Sequence, residues 1–341
     1  MKKALSVILL ICAFFLSGCG SNPPEESTTA LPETEKAVNF LTGLEGDMSP
    51  LARPVAVTVN NIEESLPQYG ISGADIITEF PVEGGITRLM ALYGDYRSVP
   101  EVCSVRSCRY YFPIFARGFD SVYFCYGSNE TLATPTLERL GIDYIDGNQV
   151  GDSLVFERDN ARLESYSSEH TVYLKGRNMA EIFEKYGFSA KRDEALGEAA
   201  FDFADERVNF ISPCTEITAE FSSSYYSEFY YDSQIGEYVK SHNGQPHTDQ
   251  KSGEQLSFTN VLLLEAETAL YNGTSLVELD WLGDKGLYAT DGTVTEILWK
   301  KESAEAPLQL FDAAGNPLEI NKGKSYIGIG AEAIVSQHSG E

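Results

Sequence analysis

The densest set of chemically useful side chains lies between residues 75 and 109. The run Glu79-Phe-Pro-Val-Glu83-Gly84-Gly85-Ile-Thr-Arg88 sets two carboxylates and an arginine around a glycine pair. Glycine there permits positive φ and the close backbone approach that a bound ligand needs. Val105-Arg106-Ser107-Cys108-Arg109 places two guanidinium groups three residues apart, which a helical turn would bring to one face. A guanidinium donates two parallel hydrogen bonds to phosphate or carboxylate, so Arg88, Arg106 and Arg109 form a candidate anion-binding set. Asp75, Glu79, Glu83 and His170, the last within Ser168-Glu169-His170-Thr171, are candidate pocket or acid/base residues beside them. A structural reading competes with this one. Arg88 would pair with Glu79 or Glu83, and Arg106 and Arg109 with acids elsewhere, since ion pairs serve folds as often as sites.

Other chemistries are less well founded. Glu79 and Glu83 could flank a glycosidic bond only at the correct carboxyl separation, and Pro81 interrupts the strand on which they would share a face. A cysteine hydrolase would need Cys103 or Cys108 beside His170 or His247, which nothing in the spacing demands. His170, His242, His247 and His338 lack the spacing of zinc ligands, so no metal or cofactor is expected. His247 and Asp249 read as shapers of a turn after Gly244. Tyr225-Tyr226 and Phe229-Tyr230-Tyr231 read as strand core with polar tips rather than as sugar platforms.

The amino terminus determines where any such site would work. Met1-Lys2-Lys3 is a short basic segment, Ala4 to Phe15 is almost wholly apolar, and Leu16-Ser17-Gly18-Cys19 follows. The apolar run is short for a bilayer span and reads as a signal peptide over residues 1–18. An apolar residue, two small residues and a cysteine form a lipobox, so Cys19 is the expected site of the diacylglycerol anchor and of palmitate-type acylation. Two acyl chains suffice for stable anchoring. The chain is thus expected at the cell membrane, lipid-anchored on its extracytoplasmic face. The formal charge is −26, and loss of Lys2 and Lys3 with the signal takes it to −28. Such a surface repels nucleic acid, so that partner is excluded. Cys103, Cys108, Cys125 and Cys214 remain after export; they could pair in three ways or stay as buried thiols.

Elements must position these groups. Residues 19–40 contain a stretch rich in Pro, Glu, Ser and Thr, read as a flexible tether. Val55, Val57 and Val59 alternate in a strand; Ala74 to Phe80, Thr87 to Tyr93 and Asp120 to Tyr126 are further strands. Arg109 to Arg117, Thr131 to Leu140 and Gly176 to Tyr186 read as helices. From about residue 205 strand runs alternate with turn signals, notably Asp291-Gly292 within Leu287 to Lys300 and Gly315-Asn316 within Leu308 to Ile320. The expected fold is α+β: an N-terminal α/β domain with a mixed sheet over 41–204 and a C-terminal mainly β domain over 205–341.

Arg53-Pro-Val-Ala-Val, Gly73-Ala-Asp-Ile, Val82-Glu-Gly-Gly-Ile-Thr-Arg88, Val105-Arg-Ser and Tyr110-Tyr-Phe112 resemble the YerB-like DUF3048 lipoproteins of Firmicutes. Asn243-Gly-Gln-Pro-His247-Thr-Asp249, Asn260-Val261 and Trp299-Lys300 extend the resemblance over nearly the whole mature chain. Where that family usually has Pro-His-Asn, this chain has Glu169-His170-Thr171, and Cys108 stands where the family usually has alanine. The resemblance implies an envelope lipoprotein and no particular reaction. Two functions follow as expectations. One is a non-catalytic binding module, its arginines holding an anionic envelope polymer or a lipid-linked precursor, with a protein partner as a further possibility. The alternative is an envelope phosphotransferase. A looser resemblance to LytR-CpsA-Psr proteins implies that Arg88, Arg106 and Arg109 would hold a lipid pyrophosphate while Asp75 or Glu79 handles a metal or a proton. The Arg-x-Asp-Thr and Pro-Arg-Asp elements of those enzymes are missing here.

Overall fold

A computed structural model describes residues 35–49, 51–197 and 199–336. The signal peptide, Cys19 and most of the tether lie outside the described residues. In chain order the N-terminal part contains β1 (Glu35–Val38), β2 (Glu45–Met48), β3 (Val55–Asn60), β4 (Ile76–Pro81), β5 (Thr87–Tyr93), β6 (Val102–Cys103), α1 (Tyr111–Gly118), β7 (Val122–Cys125), α2 (Ala133–Leu140), β8 (Tyr144–Asp146), α3 (Gly147–Val150), β9 (Phe156–Arg158), β10 (Val172–Leu174) and α4 (Met179–Tyr186). The strands and helices expected from periodicity are therefore present, with ends shifted by a few residues. One expectation changes: Glu35–Val38, assigned to the tether, pair antiparallel with Glu45–Met48.

One large sheet organises the molecule. Its strand order is Ser212–Pro213, Thr293–Lys300, Gly283–Thr290, Asn260–Leu264, Ser325–Ile329, β4, β5, β3, β7 and β8, with Gln309–Asp312 beside Thr293–Lys300. β3, β7 and β8 run parallel, as do Asn260–Leu264, Ser325–Ile329 and β4, whereas β5 is antiparallel to both β3 and β4. The sheet is mixed, and the fold is α+β. The boundary expected between residues 204 and 205 does not interrupt it. Ser325–Ile329 pairs directly with β4, Ile327 opposite Thr78, so strands from both halves of the chain share one hydrogen-bonded surface. The described residues form one compact unit.

Both faces of this sheet are covered, which explains the burial of all six residues of β3 although only its valines alternate. On one face lie a second sheet and α4. That sheet has the order Gln245–Pro246, Glu237–His242, Tyr225–Asp232, Glu216–Ser222, Glu332–Ser336. Val57, Leu89, Val261 and Tyr326 of the large sheet pack there against Ile217, Phe229, Tyr238 and Ile182. On the other face α1 and α2 place Phe112, Phe115 and Leu137 against Ala56, Met90, Tyr123 and Ile327. A layered arrangement of this kind buries each apolar stripe against another element. The aromatic run of the second sheet serves mostly this packing. Phe229 is fully buried, Tyr225, Tyr226 and Tyr231 are half-buried, and Tyr230 is exposed.

Candidate functional site

Alternation along β4 and β5 sends the polar residues singled out above to opposite faces of the large sheet. Thr87, Leu89 and Glu79 point toward the second sheet, whereas Arg88, Met90 and Phe80 point toward α1. Arg88 and Glu79 therefore cannot pair, and two charged clusters result.

The first cluster gathers around Arg88. Arg88 is 7% exposed, and its Nη1 donates to the Ser107 carbonyl at 2.6 Å. Among the described residues no carboxylate comes within ion-pair distance of Arg88, and its Nε has no hydrogen-bond partner. Burial, then the charges of Arg109 and Arg106, lower its pKa to about 10, so it remains a cation at neutral pH. Arg109 is satisfied by Glu83, with Nε 2.7 Å from both carboxylate oxygens and Nη2 2.5 Å from Oε2. Burial pushes the Glu83 carboxyl up, but the Arg109 guanidinium outweighs it and holds the group below its usual range. Arg106 reaches Glu169 through Nη2 at 2.9 Å, while its buried Nε is unpartnered. The loop carrying Glu83 is shaped by Gly84 and Gly85 at φ 80° and 71°, and Ser222 Oγ donates to the Gly85 carbonyl, fixing the loop to the second sheet.

His170 joins this cluster through β3. Asn60 lies opposite Arg88 in the β3–β5 register, and its Nδ2 donates to His170 Nδ1 at 3.0 Å. The Asn61 amide donates to Asn60 Oδ1, which fixes the orientation of the Asn60 side chain. Nδ1 is thus an acceptor, and the proton of the neutral ring sits on Nε2. Burial keeps His170 below its ordinary pKa, against the pull of Glu169. Arg88, Arg106, Asn60 and His170 gather at the carboxyl ends of the parallel strands β3 and β7, the side on which open sheets of this type bind ligands.

The second cluster surrounds Glu79. This carboxylate and Lys240 are both completely buried, Nζ 3.7 Å from Oε2. Glu79 also accepts from Asn61 Nδ2 (3.0 Å), Thr87 Oγ1 (2.6 Å), Ser227 Oγ (2.7 Å) and Tyr326 OH (2.7 Å). Lys240 Nζ donates to His247 Nδ1 at 2.9 Å, and His247 Nε2 donates to Gln68 Oε1 at 2.9 Å. Gln68 Nε2 in turn donates to the Asn60 carbonyl at 2.8 Å. Burial raises the Glu79 carboxyl, but Lys240, His242 and the hydroxyls together bring it below its usual range. Burial pushes Lys240 down to about 8 and, with the Lys240 charge, His242 down to about 4. Neither ring nitrogen of His242 has a hydrogen-bond partner of good geometry.

Several expectations change here. Glu79 is a fully compensated buried anion on the face opposite the arginines. Asp75 immediately precedes β4 at its far end, where Oδ2 accepts from the Gly94 amide at 2.7 Å, about 17 Å by strand rise from Arg88. Only Glu83 and His170 of the candidate acid/base residues adjoin the arginines. His247 is a buried link in the Glu79 network rather than a turn former. Asp249 Oδ1 does cap its own loop, accepting from the Lys251 amide, while Oδ2 accepts from the Ser72 amide across the fold. Lys240, Asn60, Asn61 and Gln68 escaped sequence reasoning because isolated polar residues in strands and loops carry no periodic signal. The one available hint was a lysine at the inward-facing positions of Tyr238-Val-Lys240-Ser-His242. Cys103, Cys108, Cys125 and Cys214 are buried free thiols.

The N-terminal domain of DUF3048, described as a protein of unknown function, matches residues 41–189, and the DUF3048 C-terminal domain matches residues 217–327. This chain belongs to the DUF3048 family. It is 30% identical, over 96% of each chain, to YerB of Bacillus subtilis (strain 168), a protein named as a lipoprotein. The crystal structure of YerB protein from Bacillus subtilis superimposes with a TM-score of 0.74 at 27% identity, covering 87% of this chain and 99% of that one. The DUF3048 matches include β3, β4, β5 and the Arg106 segment in the first domain and Lys240 and His247 in the second, so both charged clusters are built from family segments.

Proposed function

We propose that this DUF3048 protein is an extracytoplasmic lipoprotein, anchored through Cys19, whose body binds an anionic group of the cell envelope at the Arg88 cluster. The anchor reading is supported by Leu16-Ser17-Gly18-Cys19 after a basic and apolar leader, and by the lipoprotein name of the relative from Bacillus subtilis. The observation that carries the binding reading is Arg88. Among the described residues it is a buried guanidinium with no carboxylate in ion-pair range and an unpartnered Nε, and it has two further arginines as neighbours. Burying an uncompensated cation is costly, and an anion supplied from outside would offset that cost. In a chain of charge −26 with acids to spare, Arg88 nonetheless lacks one.

Anionic wall polymer and lipid-linked pyrophosphate are the ligands of matching charge. The test is a calorimetric titration of the chain from Gly20 onward with each of them, beside Arg88→Met. Salt-sensitive binding that disappears in the variant is the expected result. Absence of binding by the unaltered protein to either ligand would remove the anion site from consideration. The anchor is checked separately: Cys19→Ala should release the protein from membranes into the medium.

A further inference from the structure

Glu169 is the most exposed charged group in the Arg88 cluster, its side chain 55% accessible, yet it is placed between two donors. Oε2 lies 2.9 Å from Arg106 Nη2, and Oε1 lies 3.8 Å from His170 Nε2, the nitrogen that Asn60 leaves protonated. A carboxylate spread over a guanidinium and an imidazole N–H is the arrangement a bound oxyanion would adopt. The other carboxylate of the cluster, Glu83, differs in every respect. It is largely buried, chelates Arg109 through three contacts, and is held by the Gly84-Gly85 loop.

We infer that Glu169 is an internal stand-in for the ligand, occupying the Arg106–His170 side of the anion site, and that it yields to an incoming phosphate-type oxyanion. This rests on the anion-site reading above and adds to it the residue that competes with the ligand. The charge argument is local. With Glu83 committed to Arg109 and Glu169 swung away, Arg88 and Arg106 both lack a counter-charge, so the incoming anion meets two cations. The donors that Glu169 occupies, Arg106 Nη2 and His170 Nε2, pass to the oxygens of the ligand. A surface ion pair such as Arg106–Glu169 is weak enough to open for an incoming ligand.

The test uses the chain from Gly20 onward and follows the arginine Nε–H resonances by NMR during titration with dimethyl phosphate, acetate and inorganic pyrophosphate. Three proteins are compared: unaltered, Glu169→Gln and Arg88→Met. Glu169→Gln keeps the shape, removes the competing charge and should raise affinity for dimethyl phosphate about tenfold. Arg88 and Arg106 Nε–H signals should shift together, and Arg88→Met should lose the response. Equal affinities in the unaltered and Glu169→Gln proteins, both lost in Arg88→Met, would overturn the stand-in role and leave the anion site standing. A gain from Glu169→Gln that is smaller for pyrophosphate, which can meet both freed cations, than for dimethyl phosphate would overturn the displacement of Glu169. Tighter binding of acetate would move the ligand class to carboxylates. No response of any protein to any probe would remove the site itself, and this inference with it.

Discussion

Arg88 and Glu79 stand one register step apart on neighbouring strands, yet their surroundings are opposites. Glu79 faces the second sheet, has Lys240 as counter-charge and accepts hydrogen bonds from four side chains. Arg88 faces α1, has a single carbonyl acceptor and lies among other cations. Burial alone therefore does not separate structural charge from charge available to a ligand. The completeness of compensation does. A buried charge with all its partners ties elements together, and its partners leave nothing for a ligand to contribute. A buried charge lacking them is maintained at some cost to the fold, and that cost marks it as a candidate site.

The sharpest way to break this contrast is to remove one partner from the compensated cluster. Lys240→Met leaves Glu79 as an isolated buried anion and should cost about 3–5 kcal/mol of unfolding free energy, measured by urea denaturation. The double variant Glu79→Gln/Lys240→Met should recover part of that loss. A single-variant loss below about 1 kcal/mol would show that the pair does not fasten the second sheet to the first.

Acid should act next, and again through the compensated cluster. His242 titrates near 4 in the folded protein, below its ordinary value of 6.5, so between these values the unfolded chain binds the extra proton. Stability should therefore be highest above pH 6.5 and fall as the pH drops toward 4, by about 3 kcal/mol from this group. His247, also held well below its ordinary value by burial, works in the same direction. Glu79, with its depressed carboxyl pKa, retains its contribution above about 4.5 and loses it only in stronger acid. Thermal unfolding followed from pH 7 to pH 4.5 should show the decline, and His242→Phe should flatten it. A His242→Phe profile as steep as the original would place the acid sensitivity elsewhere.

The smallest effects are expected at the under-compensated cluster. Arg88→Met removes a buried cation that no carboxylate among the described residues neutralises, so stability should rise or fall by no more than about 1 kcal/mol, while anion binding is lost. Glu169→Gln should shift stability by under about 1 kcal/mol, as for other exposed pairs. Large destabilisation by Arg88→Met, measured beside Lys240→Met, would erase the distinction between the two clusters.

Periodicity and turn chemistry made much of the fold legible. Thr87–Tyr93 is a strand with the expected ends, and Asp291-Gly292 forms the expected tight turn, both residues at positive φ as a type I′ hairpin requires. The arginine cluster was legible for a related reason. Arg88, Arg106 and Arg109 lie close in sequence among glycines and acids, and strand alternation brings Arg88 beside the other two. The pairing of Glu79 with Lys240, of His247 with Gln68, and of Asn60 with His170 was not legible. These partners lie far apart in the chain: the first two pairs meet only because Ser325–Ile329 inserts beside β4 and the second sheet closes over that face, and the third because β10 pairs with β6 at the end of β3. Local sequence determines backbone conformation and which side chains share a face, because those depend on the nearest few residues. Which of two buried charges receives a counter-charge depends on what covers each face, and only the packing of distant strands decided that.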